Sequence, residues 1–216
     1  MQFVSYPKSG RSWVRYALTT LDVADRIRFH HDGFEFNDRT RPPHDFSLER
    51  RLEAYGPDAR IVYLTRDPRD IMVSLFHQIT GRYGPVFQYR GTLSEFIRDP
   101  YFGAENLRGF RAIWDEICAR GRATRISYEA AHADFPGVLR RVSDAFDLGL
   151  EESAIQRAAE AAAFEEMKRI EQSRTFPKNW LKPKNGSPKV RRGTIGGHAE
   201  DLDATDIAYL NAVFGL

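Results

Sequence analysis

Lys8, Ser9, Gly10, Arg11 and Ser12 stand together in the stretch YPKSGRSW (6–13), where a short apolar run gives way to a helical pattern. At a strand-to-helix junction the first turn of the helix presents backbone N–H groups that can hold a phosphate. The Walker loop places its lysine after the last glycine. Here Lys8 precedes Gly10, so an anion would be held by another arrangement. A second stretch, YLTRDPRDIMVSLFHQ (63–78), puts Arg66 at the end of an apolar run and Ser74 two turns into the next helical pattern. Arginine offers phosphate oxygens a planar, bidentate fork. Taken alone, Arg66, Asp67, Arg69 and Asp70 could equally form only local ion pairs at a helix start. In RFHHDG (28–33) two histidines close a further apolar run, and imidazole is the natural base at neutral pH.

These groups need a scaffold that brings distant segments to one edge. The short runs at 2–6, 27–31, 60–65 and 124–129 read as strands, and helical patterns over 12–21, 68–79 and 105–120 separate them. Asp67-Pro68 is a helix-start signal. Strands alternating with helices predict an α/β fold: a P-loop-like parallel sheet flanked by helices on both faces, as a single domain over 1–216. Ligands of such sheets gather outside the carboxyl ends of the strands. Segments 32–57 and 173–199 read as loops. The second carries seven positive charges and no acid, against a net charge of +2 for the chain, so it is expected to be a mobile basic flap that closes over a polyanion.

The charge balance leaves no general nucleic-acid-binding face. One cysteine, Cys118, excludes an internal disulfide, and no Cys/His cluster has zinc spacing, so no metal is expected. No apolar run approaches a membrane span, and Met1 leads directly into the first strand. A cytoplasmic setting is therefore expected.

In order along the chain, five segments resemble the cytosolic-type sulfotransferases, here as a small, bacterial-like member. YPKSGRSW resembles their 5′-phosphosulfate loop, and RDPRDIMVS their 3′-phosphate motif of an arginine and a serine eight residues apart. ISYEA (126–130), AFEEMKR (163–169) and RRGTIGG (191–197) resemble three later motifs of the family.

The resemblance implies a donor, 3′-phosphoadenosine 5′-phosphosulfate (PAPS), released as adenosine 3′,5′-bisphosphate (PAP), with no metal. Backbone N–H groups from Ser9 through Gly10, Arg11 and Ser12 to Trp13, with the Ser12 hydroxyl, would cradle the 5′-phosphate. Lys8 would neutralise charge on the oxygen bridging phosphorus and sulfur. Arg66 and Ser74 would bind the 3′-phosphate, helped by Arg191, Arg192 and Gly193. Trp13 and Phe164 would sandwich the adenine with Tyr128 at its edge; ordinary core packing is the other reading of the two rings. The base would be His31, with His30 on the other face of the strand.

Departures stand beside these matches. The family lysine two residues before the histidine is Phe29, and Arg11 replaces a threonine, either as an added donor or pointing to solvent. The segment after the last glycine motif is altered, so that His198 falls in the flap, where a bystander role is expected. The acceptor would be a small molecule bearing a hydroxyl or an amine. Phe34, Phe36, Tyr83, Phe87, Tyr89, Tyr101 and Phe102 suggest a partly apolar pocket, and Asp32, Glu35 and Asp38 a cationic acceptor. A second subunit could complete that pocket, so a homo-oligomer is compatible with the sequence. The alternatives are a nucleotide kinase-like phosphoryl transferase and a non-catalytic nucleotide-binding module.

Overall fold

Short apolar runs, each closed by a polar or proline-containing turn, build four strands, and the longer amphipathic runs between them build helices. The computed structural model describes residues 1–36, 46–173, 176–190 and 192–216. Strand β1 (Gln2–Ser5) leads into helix α1 (Arg11–Thr20), followed by β2 (Arg28–His30), α2 (Leu48–Tyr55), β3 (Ile61–Thr65) and α3 (Pro68–His77). A π-helical turn over Gln78–Arg82 extends α3, and α4 (Gly84–Phe87), α5 (Leu93–Arg98) and α6 (Ala104–Ala119) precede β4 (Thr124–Ser127). Then come α7 (Tyr128–Ala133), α8 (Phe135–Phe146), α9 (Glu152–Ala161), α10 (Phe164–Ser173), a 3₁₀ turn at Gly197–Glu200 and α11 (Ala204–Phe214).

The four strands pair in the order β2-β1-β3-β4, all parallel. Phe3 lies opposite Phe29 on one side and Val62 on the other, and Leu64 opposite Ile126. Successive side chains of a strand face opposite ways. Phe3, Val62, Leu64 and Ile126 accordingly pack with Val14 and Leu18 of α1, Leu139 and Val142 of α8 and Ile155 of α9. Val4, Ile61 and Tyr63 pack on the other face with Ile71 and Met72 of α3, Phe110 and Trp114 of α6 and Leu210 of α11. Helices thus cover both faces, as expected for a parallel sheet.

Local chemistry sets the ends. Asp67 accepts from the Arg69 backbone N–H at 2.8 Å and Pro68 sits in the first turn of α3, as its sequence predicts. β4 stops at Ser127 rather than running on to Glu129, because the Ser127 hydroxyl accepts from Ala130 N–H at 3.0 Å and starts α7. Within 32–57, expected to be a loop, Ser47 caps α2 and Gly56 (φ 66°) follows its last turn. No helix among the described residues is long and apolar enough to cross a membrane.

Candidate active site

The carboxyl ends of β1, β2 and β3 open on one side of the sheet, and the turn after β1 is wound tightly there. Lys8 (φ 72°) and Gly10 (φ 96°) both take left-handed backbone conformations. Gly10 is needed twice over: a Cβ would fall 2.5 Å from Cδ2 of Tyr128, whose ring lies directly on it. Ser9 departs from its expected place. It is buried, its hydroxyl donates to the Tyr6 carbonyl at 2.9 Å, and its N–H points to the same oxygen. The Trp13 N–H is likewise taken by the Gly10 carbonyl at 2.9 Å. Of the expected donors from Ser9 to Trp13, the N–H groups of Gly10, Arg11 and Ser12 remain without a backbone partner among the described residues.

Arg66, just past β3, ties this turn to two other elements. Its Nη1 donates to the Lys8 carbonyl at 3.2 Å, its Nη2 to the Thr194 carbonyl at 3.0 Å, and its guanidinium lies 4.1 Å over the Tyr128 ring. Local ion pairs form here as well, Arg69–Asp67 at 2.6 Å and Arg66–Asp70 at 3.4 Å. The ion pairs expected at this helix start are therefore present, and Nε of the Arg66 fork is buried with no partner among the described residues.

The two histidines of β2 and its end separate cleanly. His31 Nδ1 lies 2.7 Å from the Ser5 carbonyl, so it carries the proton there and leaves Nε2 as the acceptor nitrogen. Its backbone N–H is held by Glu35 at 2.9 Å. Burial, followed by the neighbouring Arg11 charge, pushes its pKa well below the usual value, so the ring is neutral at neutral pH. His30 instead meets Gln2 at 3.2 Å and stacks on Tyr55, and burial first of all brings its pKa down to about 4. Asp32 is no acceptor ligand. It is buried under Arg51 (2.9 Å), Tyr55 (2.6 Å) and Trp114 (3.2 Å), and so fixes the turn that carries His31.

Three residues that the sequence did not single out as functional hold the basic flap. Asp70 accepts from Gly196 N–H at 3.0 Å and from His198 N–H at 3.0 Å, with His198 Nδ1 at 2.9 Å. His198 is thus a clamp partner. Glu171 accepts from Val190 N–H at 2.8 Å and from Lys189 N–H. Arg82 donates to the Ser187 and Lys182 carbonyls, both at 3.1 Å. Buried charges on α3, the π-helical turn and α10 are the signal that could have found these anchors, but nothing in the local sequence says where their partners lie. Arg192 reaches Asp201 at 2.9 Å and Glu200 at 3.1 Å. Arg191 lies outside the described residues, as does Asp38.

On the far side, the Trp13 indole donates to the Ala162 carbonyl at 2.7 Å and stacks on Phe135 at 4.3 Å. Tyr128 stands edge-on to it at 5.8 Å. Phe164 opens α10 and lies against Gly193 (φ 66°), where a Cβ would overlap the ring at Cε2 and Cδ2.

A cavity of about 480 Å³ joins these parts, a size that suits a nucleotide-sized ligand. Lys8, Gly10, Arg11, Ser12 and Trp13 line it from the first loop and α1, with His31 beside them. Arg66, Ser74 and Tyr128 line it from the centre, and Phe164, Arg192 and Gly193 close it. Arg11 does not point to bulk solvent: its Nη1 has no exposed surface, and burial lowers its pKa to about 10. Of the aromatic residues expected around an acceptor, Tyr83 lines the cavity, whereas Phe34, Phe36 and Phe102 are buried core. Phe29 also turns inward, 5.2 Å from the Phe3 ring.

The sulfotransferase domain model covers residues 47–215, and the chain belongs to that family of enzymes. The matched span starts after the first loop and His31, whose likeness rests on their own motifs. Among similar proteins, rabbit (Oryctolagus cuniculus) sulfotransferase 1C2 is 24% identical over 89% of this chain and 74% of its own. The amine sulfotransferase of the same species is 22% identical over 79% of this chain and 63% of its own. Mouse sulfotransferase SULT7A1, solved with PAP, superposes at a TM-score of 0.70 and 18% identity over 99% of this chain and 81% of its own. Retinol dehydratase, solved with androsterone and inactive cofactor PAP, gives 0.66 and 20% over 99% of this chain and 79% of its own. The residues here fit such a nucleotide. Arg66 Nε and Arg11 Nη1 are buried donors with no hydrogen-bond partner among the described residues, as groups facing an anionic ligand would be.

Proposed function

We propose that this protein transfers a sulfuryl group from PAPS to a hydroxyl or amine of a small molecule and releases PAP. The observation that carries this reading is the single cavity shared by Lys8, His31, Arg66, Ser74, Trp13 and Phe164, residues drawn from four segments far apart in sequence. Arg66 and Ser74 would take the 3′-phosphate, with Arg192 and the Gly193 backbone approaching from the flap and Arg191 next to them in sequence. The N–H groups of Arg11 and Ser12 and the Ser12 hydroxyl would take the 5′-phosphate at the start of α1. Trp13 and Phe164 would bracket the adenine, with Tyr128 at its edge.

Chemistry then needs two charges managed. The acceptor hydroxyl loses its proton to His31 Nε2, which is free to receive it because Nδ1 is committed to the Ser5 carbonyl. The oxygen left on the 5′-phosphate gains negative charge as its bond to sulfur breaks, and the Lys8 ammonium would neutralise it. Calorimetric titration with PAP tests the nucleotide site: binding in the micromolar range is expected, and none at high micromolar ligand refutes it. Lys8→Ala is expected to reduce transfer about 10²–10³-fold while PAP still binds. Wild-type turnover in that variant would remove the leaving-group role. Tight PAP binding with no transfer to any of a panel of phenols, alcohols and amines would favour the non-catalytic nucleotide-binding module.

A further inference from the structure

Between Lys8 and His31 the cavity wall carries more positive charge than the two phosphates of the nucleotide use. Arg11 and Lys189 line the cavity with Lys8 and His31; the charges of both act on His31, and those of Lys8 and Arg11 act on Lys189. Lys189 is placed by its own backbone: the N–H groups of Lys189 and Val190 are held on the two carboxylate oxygens of Glu171. Arg11 is placed by α1, whose first residue it is. Its Nη1 is shut off from solvent and has no hydrogen-bond partner among the described residues.

Two lining acids, Glu35 and Asp70, face a larger number of lining cations, and the Glu35 charge offsets only part of what burial costs Arg11. Glu35 is engaged by the His31 N–H, and Asp70 by Gly196, His198 and Arg66. Burial, and then the charges of Lys8, Arg82, Arg11 and Lys184, push the Lys189 pKa well down. An anion among these groups would relieve that repulsion.

We propose that Arg11 and Lys189 hold the three non-bridging oxygens of the sulfuryl group as it passes from donor to acceptor. The inference rests on the sulfotransferase reading above. In the step, a lone pair of the acceptor oxygen forms the new O–S bond and the acceptor proton goes to His31 Nε2. The bond from sulfur to the bridging oxygen breaks, and its electron pair stays on the 5′-phosphate oxygen beside Lys8. The three remaining oxygens keep their negative charge throughout while sulfur flattens. A guanidinium and an ammonium on that equator make charge-assisted hydrogen bonds to them. Both are then catalytic residues: they touch the reacting group.

The test compares PAPS with PAP, which lacks the sulfuryl group, by calorimetry without acceptor. Arg11→Met and Lys189→Met are each expected to weaken PAPS about tenfold while PAP stays within about threefold of wild type, with Arg11→Lys restoring part of the loss; a charge-assisted hydrogen bond is of that size. PAP release from PAPS by slow transfer to water is expected to fall about 10²-fold, as for loss of one oxyanion donor. Equal weakening of PAP and PAPS would overturn the proposal and assign Arg11 to the 5′-phosphate. Unchanged PAPS affinity with a raised acceptor KM would overturn it and assign both cations to an anionic acceptor. Lys189→Met, on the flap, keeps the test valid if Arg11→Met fails to fold. If the wild-type protein binds neither nucleotide, the donor reading fails with it, an outcome distinct from selective retention of both.

Discussion

Replacing Gly193 with alanine tests the flap as part of the nucleotide site. Gly193 sits at φ 66° against Phe164, and a Cβ there would overlap two atoms of the ring. Alanine in the left-handed region costs about 1–2 kcal/mol. Forcing a methyl into a packed contact adds about 1–3 kcal/mol. Neither side yields freely, since Gly196 is tied to Asp70 and Lys189 to Glu171 on either side of the strained position. The low end of the sum, about 2 kcal/mol, falls on the closed flap and not on the sheet. If nucleotide binding needs that closed flap, the Kd for PAP rises about 30-fold. A thermal melt then moves little, because the contacts at stake lie outside both cores. Gly186→Ala is the control: it shares the positive φ (72°) and the flap, but a Cβ there meets nothing within 4 Å. It carries the left-handed cost alone, so its PAP affinity is expected to fall by about fivefold, well short of the Gly193→Ala loss. Titration calorimetry on both variants decides the matter. A Gly193→Ala protein that binds PAP like wild type, or two variants with equal losses, would refute the claim that the glycine is there for Phe164.

Asp70→Asn removes the charge that accepts from Arg66, Gly196 and His198, and an amide must present N–H to at least one donor. A loss of about 1–3 kcal/mol is expected, read as a fall in Tm of at least 2 °C and faster proteolysis at the basic flap; an unchanged Tm and cleavage rate would show that the clamp contributes nothing. The pH dependence follows from His31, which must be neutral to act and whose pKa is lowered by burial and then by Arg11. Transfer should therefore hold level from pH 8 to below about 6.5 and decline only at lower pH, and Arg11→Met should move that decline upward. A pH–rate profile with its acid limb above 6.5 in the wild type would contradict this. Stability has the same sign: unfolded His30 takes a proton near pH 6.5, whereas folded His30 takes one near pH 4. The folded state thus loses ground as pH falls through that window, which denaturant titrations at pH 7 and pH 5 can measure.

The parts of this molecule legible in the sequence are those whose cause is local. The strands over Gln2–Ser5 and Ile61–Thr65 follow from apolar runs, and α3 from Asp67-Pro68. The loop at Lys8–Ser12 was legible as a strand-to-helix turn, but not the fate of each donor within it. Ser9 is consumed by a carbonyl three residues back, a matter of turn geometry that residue type does not reveal. Aromatic residues misled where their partners are distant: Phe34 and Phe36 read as pocket lining yet pack on Tyr6, as their spacing from the strand could not show. The flap anchors were hidden for the same reason. Asp70 looks like one member of an i,i+4 pair with Arg66, yet it is hydrogen-bonded to His198, 128 residues on.

That long-range bond also explains why charge in this site is arranged as it is. Arg66 is held by the Lys8 carbonyl, the Thr194 carbonyl and Asp70, so the first loop, α3 and the flap share one guanidinium. Only Nε of that fork is both buried and without a partner. An incoming phosphate would therefore have to compete with the Thr194 carbonyl for Nη2, and drawing that carbonyl away moves the backbone next to Gly193. On the proposed 3′-phosphate role of Arg66, nucleotide binding and flap position would be coupled through a single side chain. Asp70 meanwhile holds Gly196 and His198 through three contacts of its own, independent of the Thr194 carbonyl.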